Sequence, residues 1–372
     1  MILNYNNRNL SMLKDNRIVK ILFIFLVILS FGVSAEASDN ETLNINPFEY
    51  FNVYSLGDIG QSNDVYNSDI EGTIGAAGNT YFGGFGAPNL GSNEYVLHTG
   101  GDFYIKGGGF NGKIDVGGNV RLANFRLKHD LYAGGNITIP RSTSGAPTAT
   151  ARVAGIVDQF RWNNINAVGG VPYDPVLNFD VLNSYFLDTS STIADMGDVY
   201  GTKTYNQPHS NAFFNVESGI NVFEINATDF YATARYAAVV GPADAIVYIN
   251  ATDTDAHLGW SMNWDFIGGV TQSNVLLNFA DATDLRVSGG EINVLAPSAD
   301  TTFTSGAING NLITGNLYGG AQVNQGYFSP QISVVPEPSS VILFISGIIV
   351  LLGFGKKSRK QSNSHTKYAL EL

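Results

Sequence analysis

The phrase GGDFYI at residues 100–105 decides the fold, because it returns twice along the chain at a constant spacing. The returns are GGNVRL at residues 117–122 and GGNITI at residues 134–139, each 17 residues after the last, and a shorter form, Gly78-Asn79, precedes them. Glycine reaches positive φ without steric cost, and Asn and Asp tolerate the left-handed region, so each phrase predicts a sharp turn followed by a short strand.

Stacking of these strands is expected because one strand cannot bury its apolar side by itself. Alternate side chains such as Ile137 and Ile139 point to the same side of a strand, and a core forms only when successive turns of chain lie on one another. The spacing therefore predicts a mainly β fold with a β-solenoid body, similar to a right-handed β-helix. A β-sandwich with glycine-rich hairpins is the alternative.

The stretch at residues 141–197 departs from this pattern. Prolines interrupt it, and apolar residues at spacings of three and four, such as Val153, Ile156, Val157 and Phe160, predict one or two helices inserted into the β body. The two segments with this spacing are residues 149–163 and 173–189. Short β-type runs return after Tyr200, so we expect the β body to continue there.

Composition limits the class of function. The 372-residue chain has no cysteine, which excludes disulfides, thiolate metal sites and cysteine nucleophiles. Its net charge is −12. Between Ser38 and Val335 there are 11 basic and 28 acidic residues. Because nucleic-acid binding depends on neutralising phosphates, an acidic body argues against nucleic acid as a partner.

Residues 1–37 have the pattern of a signal peptide with a helical apolar region. Lys14, Arg17 and Lys20 precede an apolar run at residues 21–31, and Ala35 and Ala37 occupy the positions that signal peptidase reads, so cleavage before Ser38 is expected. The alternative is an uncleaved membrane anchor. Translation starts at Met1 or at Met12.

Residues 335–360 combine three features in order. Pro336, Glu337 and Pro338 precede an apolar stretch at residues 341–354, predicted as a transmembrane helix, and the basic residues after it are expected to remain cytoplasmic; these are Lys356, Lys357, Arg359 and Lys360. This tail resembles the PEP-CTERM sorting signal, which implies transient insertion in the inner membrane and processing by an exosortase. The hydrophilic tail at residues 361–372 is longer than usual for such signals. An ordinary uncleaved anchor is the alternative.

Residues 47–330 also resemble the choice-of-anchor A family of bacterial adhesive domains. The resemblance is carried by FNVYSLGD (51–58), DIEG (69–72), VLLNF (275–279), VLAPSA (294–299) and GNLI (310–313). The family implies surface display and adhesion, and a PEP-CTERM tail is one of the anchors it uses. It implies no catalytic residue.

We find no catalytic constellation and expect neither enzyme activity nor a cofactor. The histidines are scattered, no Gly-x-Ser-x-Gly elbow occurs, and the glycine-rich stretches lack the residues of a phosphate loop. The weak metal candidates are two pairs of aspartates in predicted turns, where calcium could accept their oxygens: Asp253 with Asp255 and Asp281 with Asp284. Asp as a simple turn former is the alternative.

These features predict an exported cell-surface or extracellular-matrix protein of a Gram-negative bacterium, adhesive or associated with exopolysaccharide and biofilm. The expected partners are signal peptidase and an exosortase during export, the membrane through the C-terminal segment, and surface polymers such as exopolysaccharide. One alternative is an ice- or crystal-surface-binding protein, suggested by Thr301, Thr302 and Thr304. Another is a polysaccharide-modifying enzyme, which requires acidic residues gathered in one cleft.

Overall fold

The computed structural model describes residues 45–89, 94–140, 144–146, 149–160, 165–258 and 262–330. The predicted signal peptide with Ala35 and Ala37, the sorting segment at 335–360 and the tail at 361–372 lie outside these ranges. Within them, no helix is long and apolar enough to cross a membrane.

The described chain is mainly β. Its helices are α1 (Pro47–Tyr50), α2 (Phe179–Tyr200) and α3 (Ala227–Thr233), with a 3-10 turn at Gln272–Asn274. Its strands are β1 (Phe51–Ser55), β2 (Thr73–Ala76), β3 (Thr80–Asn89), β4 (Tyr95–Thr99), β5 (Phe103–Asn111), β6 (Lys113–Val116), β7 (Val120–Leu122), β8 (Phe125–Leu127), β9 (Leu131–Ala133), β10 (Ile137–Ile139), β11 (Ser144–Gly145), β12 (Thr150–Val153), β13 (Val157–Gln159), β14 (Asn166–Val168), β15 (Thr202–Lys203), β16 (Asn211–Asn215), β17 (Gly219–Ile225), β18 (Tyr236–Val240), β19 (Ala245–Ala251), β20 (Asp255–Leu258), β21 (Asn263–Ile267), β22 (Val275–Asn278), β23 (Asp284–Val287), β24 (Gly290–Glu291), β25 (Asn293–Phe303), β26 (Ala307–Asn309), β27 (Leu312–Gly319) and β28 (Gln322–Asn324).

The strands form three faces, and a coil is one stretch of chain that visits the three in turn. Face A has the order β14-β12-β9-β6-β4-β2-β1-β27-β25-β22-β19-β17-β15. Face B joins β20, β23 and the second halves of β25 and β27 to the first halves of β3 and β5 and to β7, β10 and β13. Face C contains β16-β18-β21, β24-β26-β28 and the strands around β8. These strands pair in parallel, which is compatible with the predicted β-solenoid and unlike hairpins, whose strands are antiparallel. The right-handed sense stays a prediction.

The 17-residue spacing is the length of chain in one coil. Phe103 pairs with Val120, and Val120 pairs with Ile137, so the three repeated phrases lie directly on one another. The buried side chains of these strands, including Ile105, Leu122 and Ile139, form one continuous core inside the coils. The repeat read from the sequence is therefore confirmed in the strand register.

The chain enters this stack in the middle. Strand β1 pairs with β2 on one side and with β27 on the other, so the coils after β1 stack towards β14 and the coils after β15 stack back towards β1. The two ends of the described chain therefore lie side by side, and the Ser329 hydroxyl donates a hydrogen bond to Glu49.

Helix α2 connects the two halves and covers part of face A. Its buried residues Leu182, Phe186 and Ile193 share a cluster with outward-facing residues of the sheet such as Tyr54 and Leu295. Each fully buried side chain of this size contributes roughly 1.5–3 kcal/mol. Polar contacts fix the position of the helix: the Tyr54 hydroxyl donates to Asn183 at 2.8 Å, and the Ser190 hydroxyl donates to Asn278 at 2.6 Å.

The prediction of helices was partly wrong. The segment predicted at 173–189 is helical only from Phe179, where Asn178 caps the first turn by accepting from Val181 N–H at 3.3 Å, and it continues to Tyr200. Of the segment predicted at 149–163, the described residues 149–160 form β12 and β13 instead. Val153 ends the first strand and is buried, whereas Ile156 in the following turn is 70% exposed, so a strand-turn-strand produced a spacing that imitates a helix.

Candidate binding face

A ladder of Asn and Asp side chains joins successive coils where face A turns into face B. In each step the side-chain Oδ1 of one coil accepts the backbone N–H of the next, at 2.6–2.9 Å. The ladder runs from Asn316 through Asp58, Asn79, Asp102, Asn119 and Asn136 to Ile156 N–H. It crosses the junction of β27 and β1 without interruption, so it joins the two halves of the chain.

The glycine before each ladder residue is required by this packing. A Cβ at Gly118 would lie 2.4 Å from Asp102 Oδ1, and a Cβ at Gly135 would lie 2.7 Å from Asn119 Oδ1. Gly118 N–H also donates to Gly101 O at 2.9 Å, so two coils approach as closely as backbone atoms allow. The repeated Gly-Gly-Asn/Asp phrase is therefore a coil-stacking device.

Outward-facing side chains of face B form one column along the stack. Consecutive members are partners in strand register except Tyr318 and Tyr81, whose strands are separated by the bridge residue Ile59; Ile59 is buried and pairs with both Leu317 and Thr80. The column consists of His257, Arg286, Thr302, Tyr318, Tyr81, Tyr104, Arg121, Thr138 and Asp158. Face A differs from face B because helix α2 covers part of its outer surface.

The centre of the column combines aromatic rings with cations. The Arg121 guanidinium lies 5.7 Å from the ring centre of Tyr104, and Lys106 Nζ lies 5.9 Å from the same ring. Burial, followed by the charges of Asp58 and Asp102, raises the pKa of Tyr81, so its hydroxyl stays protonated as a donor. Flat rings beside fixed donors can contact a hydroxyl-rich or acidic polymer through stacking and hydrogen bonds.

The sequence did not single out this column, although a signal was present. Tyr104, Arg121 and Thr138 are each the fifth residue of the phrase that repeats every 17 residues, so they occupy equivalent outward positions. Tyr81 and Tyr318 had no such signal, because the coil containing Tyr81 is longer and Tyr318 comes from the far end of the chain.

The structure brings together two of the four predicted calcium candidates. Asp255 and Asp284 are register partners at the start of face-B strands, and Asp300 follows in the same column. Asp253 instead accepts the N–H of Ala227 at the start of α3. Within the described ranges, no group of three or more His, Asp or Glu residues is arranged to hold a metal ion. The calcium assignment remains a prediction.

A comparison with protein families identifies the domain. The family model described as "Putative Ice-binding-like adhesive domain" matches residues 44–325, which is more than half of the chain. The chain belongs to this family. The match to this adhesive domain covers the 28 strands of the described ranges and both halves of the stack. No curated protein and no solved structure gave a match.

A groove on face C of the adhesive domain is lined by two acidic residues. It has a volume of about 400 Å³, and the two residues are Asp265 and Glu291. Asp265 accepts the Tyr236 hydroxyl at 2.8 Å, and Glu291 accepts the side-chain amide of Asn309 at 3.4 Å. The family is one of adhesive domains, not of enzymes.

Proposed function

We propose that this protein is an exported surface protein that attaches the cell to polar polymers through face B. The observation that carries the proposal is the in-register column of tyrosines, arginines and threonines on an adhesive domain. Single contacts of this type are weak. Many copies on one cell surface would bind together, because each bound copy raises the effective concentration of the others.

The export route is part of the proposal. A signal peptide at residues 1–37 and a PEP-CTERM segment at 335–360 would deliver the domain to the surface or matrix of a Gram-negative bacterium through an exosortase. Choice-of-anchor A membership, over 47–330, would pair the adhesive domain with this anchor. Intact mass of the protein recovered from cells and from medium tests the route: a mature form beginning at Ser38 and ending near Pro338 is expected, and a full-length cytosolic chain would refute it.

Attachment tests the role of face B. We would delete the gene, measure attachment of the bacterium to polysaccharide-coated surfaces, and restore expression of the wild type or of a variant with Tyr81→Ser and Tyr104→Ser. The wild type is expected to restore attachment and the variant to fail, because stacking on an aromatic ring is lost. A second test variant is Arg121→Ala, which removes an arginine of face B. Its control is Arg126→Ala on face C, since both arginines are exposed. Equal attachment with all variants would refute a role for face B.

A second candidate function is binding to ice or another crystal surface, which the family description favours. The outward column of face B contains Thr138 and Thr302 but no continuous row of threonines. Thermal hysteresis of the purified protein separates the two functions: hysteresis that disappears in Thr138→Tyr would favour ice, and its absence would favour a polymer.

A further inference from the structure

Basic residues are distributed unevenly along the acidic body of the chain. Residues 100–164 contain eight Lys/Arg and four Asp/Glu, whereas the rest of the body, residues 38–99 and 165–335, contains three Lys/Arg and 24 Asp/Glu. The basic stretch forms strands β5 to β13, on the side of the stack where face A ends in β14. A protein of net charge −12 therefore concentrates its positive charge in a few neighbouring coils.

Two of these cations lie against one ring of face B. Lys106 and Arg121 are both exposed, and they come from consecutive coils. Lys106 Nζ lies 5.9 Å from the ring centre of Tyr104, and the Arg121 guanidinium lies 5.7 Å from the same centre. Because a cation is attracted to the face of an aromatic ring at such distances, Tyr104 holds two positive charges at one place on the face.

The two cations have no acidic partner. Within the described ranges, neither Lys106 nor Arg121 forms an ion pair. The register partners of Arg121 along the column are Tyr104 and Thr138, which carry no charge. The charge of the pair is therefore available to a ligand.

Two carboxylates of the same coils are engaged elsewhere or more distant. Asp102 Oδ1 accepts the backbone N–H of Asn119 at 2.6 Å and its side-chain amide at 3.1 Å, so this oxygen is directed along the ladder. Asp158 lies two register steps from Arg121, which is roughly 10 Å at the usual strand spacing. Salt largely screens an interaction between exposed charges at that distance.

This arrangement fits a polymer that has both acid groups and hydroxyls. A guanidinium binds a carboxylate or sulfate through two parallel hydrogen bonds, and a lysine adds a compact charge. Tyr81 is the register partner of Tyr104, and burial raises its pKa, so it offers a hydroxyl donor beside the cations. Duplex nucleic acid fits less well, because it carries one charge per roughly 1.7 Å and would meet the acidic remainder of the body.

We propose that Lys106 and Arg121 bind the acid groups of an acidic polysaccharide, with Tyr104 positioning both cations and Tyr81 donating to a sugar hydroxyl. The inference rests on the proposed function, because it names the charge class of the polymer that face B contacts. Binding should weaken as the salt concentration rises, since the contacts are exposed charges.

The test uses full-length protein in detergent and immobilised polygalacturonate, alginate and hyaluronate, each also in a carboxyl-reduced, neutral form. Surface plasmon resonance should show binding of at least one acidic polymer and much weaker binding of its neutral form. Lys106→Ala with Arg121→Ala should reduce the affinity about 10- to 100-fold, because charge-assisted hydrogen bonds are lost.

Arg126→Ala with Lys128→Ala is the matched control for this double variant. It removes the same charge from β8 and the residue after it, on face C, and should bind as the wild type does. Circular dichroism checks the fold of both double variants. If the alanine variant of face B does not fold, Lys106→Gln with Arg121→Gln replaces it, because glutamine keeps much of the side-chain length without the charge.

Four outcomes would overturn the inference. These are equal binding of the acidic and neutral polymers, binding of no acidic polymer, an equal loss of affinity in the face-C control, and tighter binding of duplex DNA than of every acidic polysaccharide. The proposed function is judged separately, by bacterial attachment. It fails only if Tyr81→Ser with Tyr104→Ser leaves attachment unchanged, whichever polymer is bound.

Discussion

Substitution of Gly118 by alanine tests the stacking of the coils directly. The added Cβ would lie 2.4 Å from Asp102 Oδ1 and 2.7 Å from the carbonyl oxygen of Gly101. Asp102 could rotate away, but it would then lose its hydrogen bond from Asn119 N–H at 2.6 Å. The Gly101 carbonyl is backbone and already accepts Gly118 N–H, so it can move only if the two coils separate.

The expected cost follows from these two contacts. Overpacking of a tight site costs about 1–3 kcal/mol, and a lost hydrogen bond adds about 1 kcal/mol. We therefore expect Gly118→Ala to lower the free energy of unfolding by about 2–4 kcal/mol. In domains of 150–250 residues, each kcal/mol corresponds to a fall of about 2–4 °C in Tm.

Urea unfolding followed by circular dichroism measures this change, with Gly107→Ala as the matched control. A Cβ at Gly107 would have no neighbour closer than 3.9 Å, so its cost should stay below about 0.5 kcal/mol. The double variant Asp102→Ala with Gly118→Ala should cost less than the sum of the single variants, because the first substitution removes one of the two clashes. If Gly118→Ala and Gly107→Ala unfold at the same urea concentration, the stacking argument is wrong.

Three further substitutions test other parts of the structure. Burial lowers the pKa of His98, so stability should fall as the pH drops below about 6.5, by at most about 1.4 kcal/mol per pH unit, and His98→Gln should flatten this slope in urea titrations. Asp284→Asn should stabilise the protein by about 0.2–1 kcal/mol at low salt, because Asp284 lies between like charges in the strand register; destabilisation would instead indicate a bound cation. Phe186→Ala should cost about 3–5 kcal/mol, whereas Leu187→Ala, 42% exposed, should cost much less; similar costs would mean that α2 does not pack as described.

The structure also explains why the helix predictions differed in quality. Helix α2 has one buried side, so its apolar spacing is real, although its start depends on the Asn178 cap. The false helix at 149–163 arose because Val153 and Val157 belong to consecutive strands of a short coil and Ile156 lies in the turn between them. The spacing of apolar residues alone cannot distinguish the one buried side of a helix from the buried sides of two consecutive short strands.

The sequence by itself determined the coil repeat. Gly-Gly-Asn/Asp at 17-residue spacing requires close backbone stacking and side-chain acceptors, and these are local requirements that any stacked arrangement must meet. Only the tertiary structure decided how the two halves join, since β1 meets β27 from the far end of the chain. It also decided that Tyr81 and Tyr318 share one face. Those relationships depend on contacts between distant parts of the chain, which are set by the register of the coils and leave no periodic signal in the sequence.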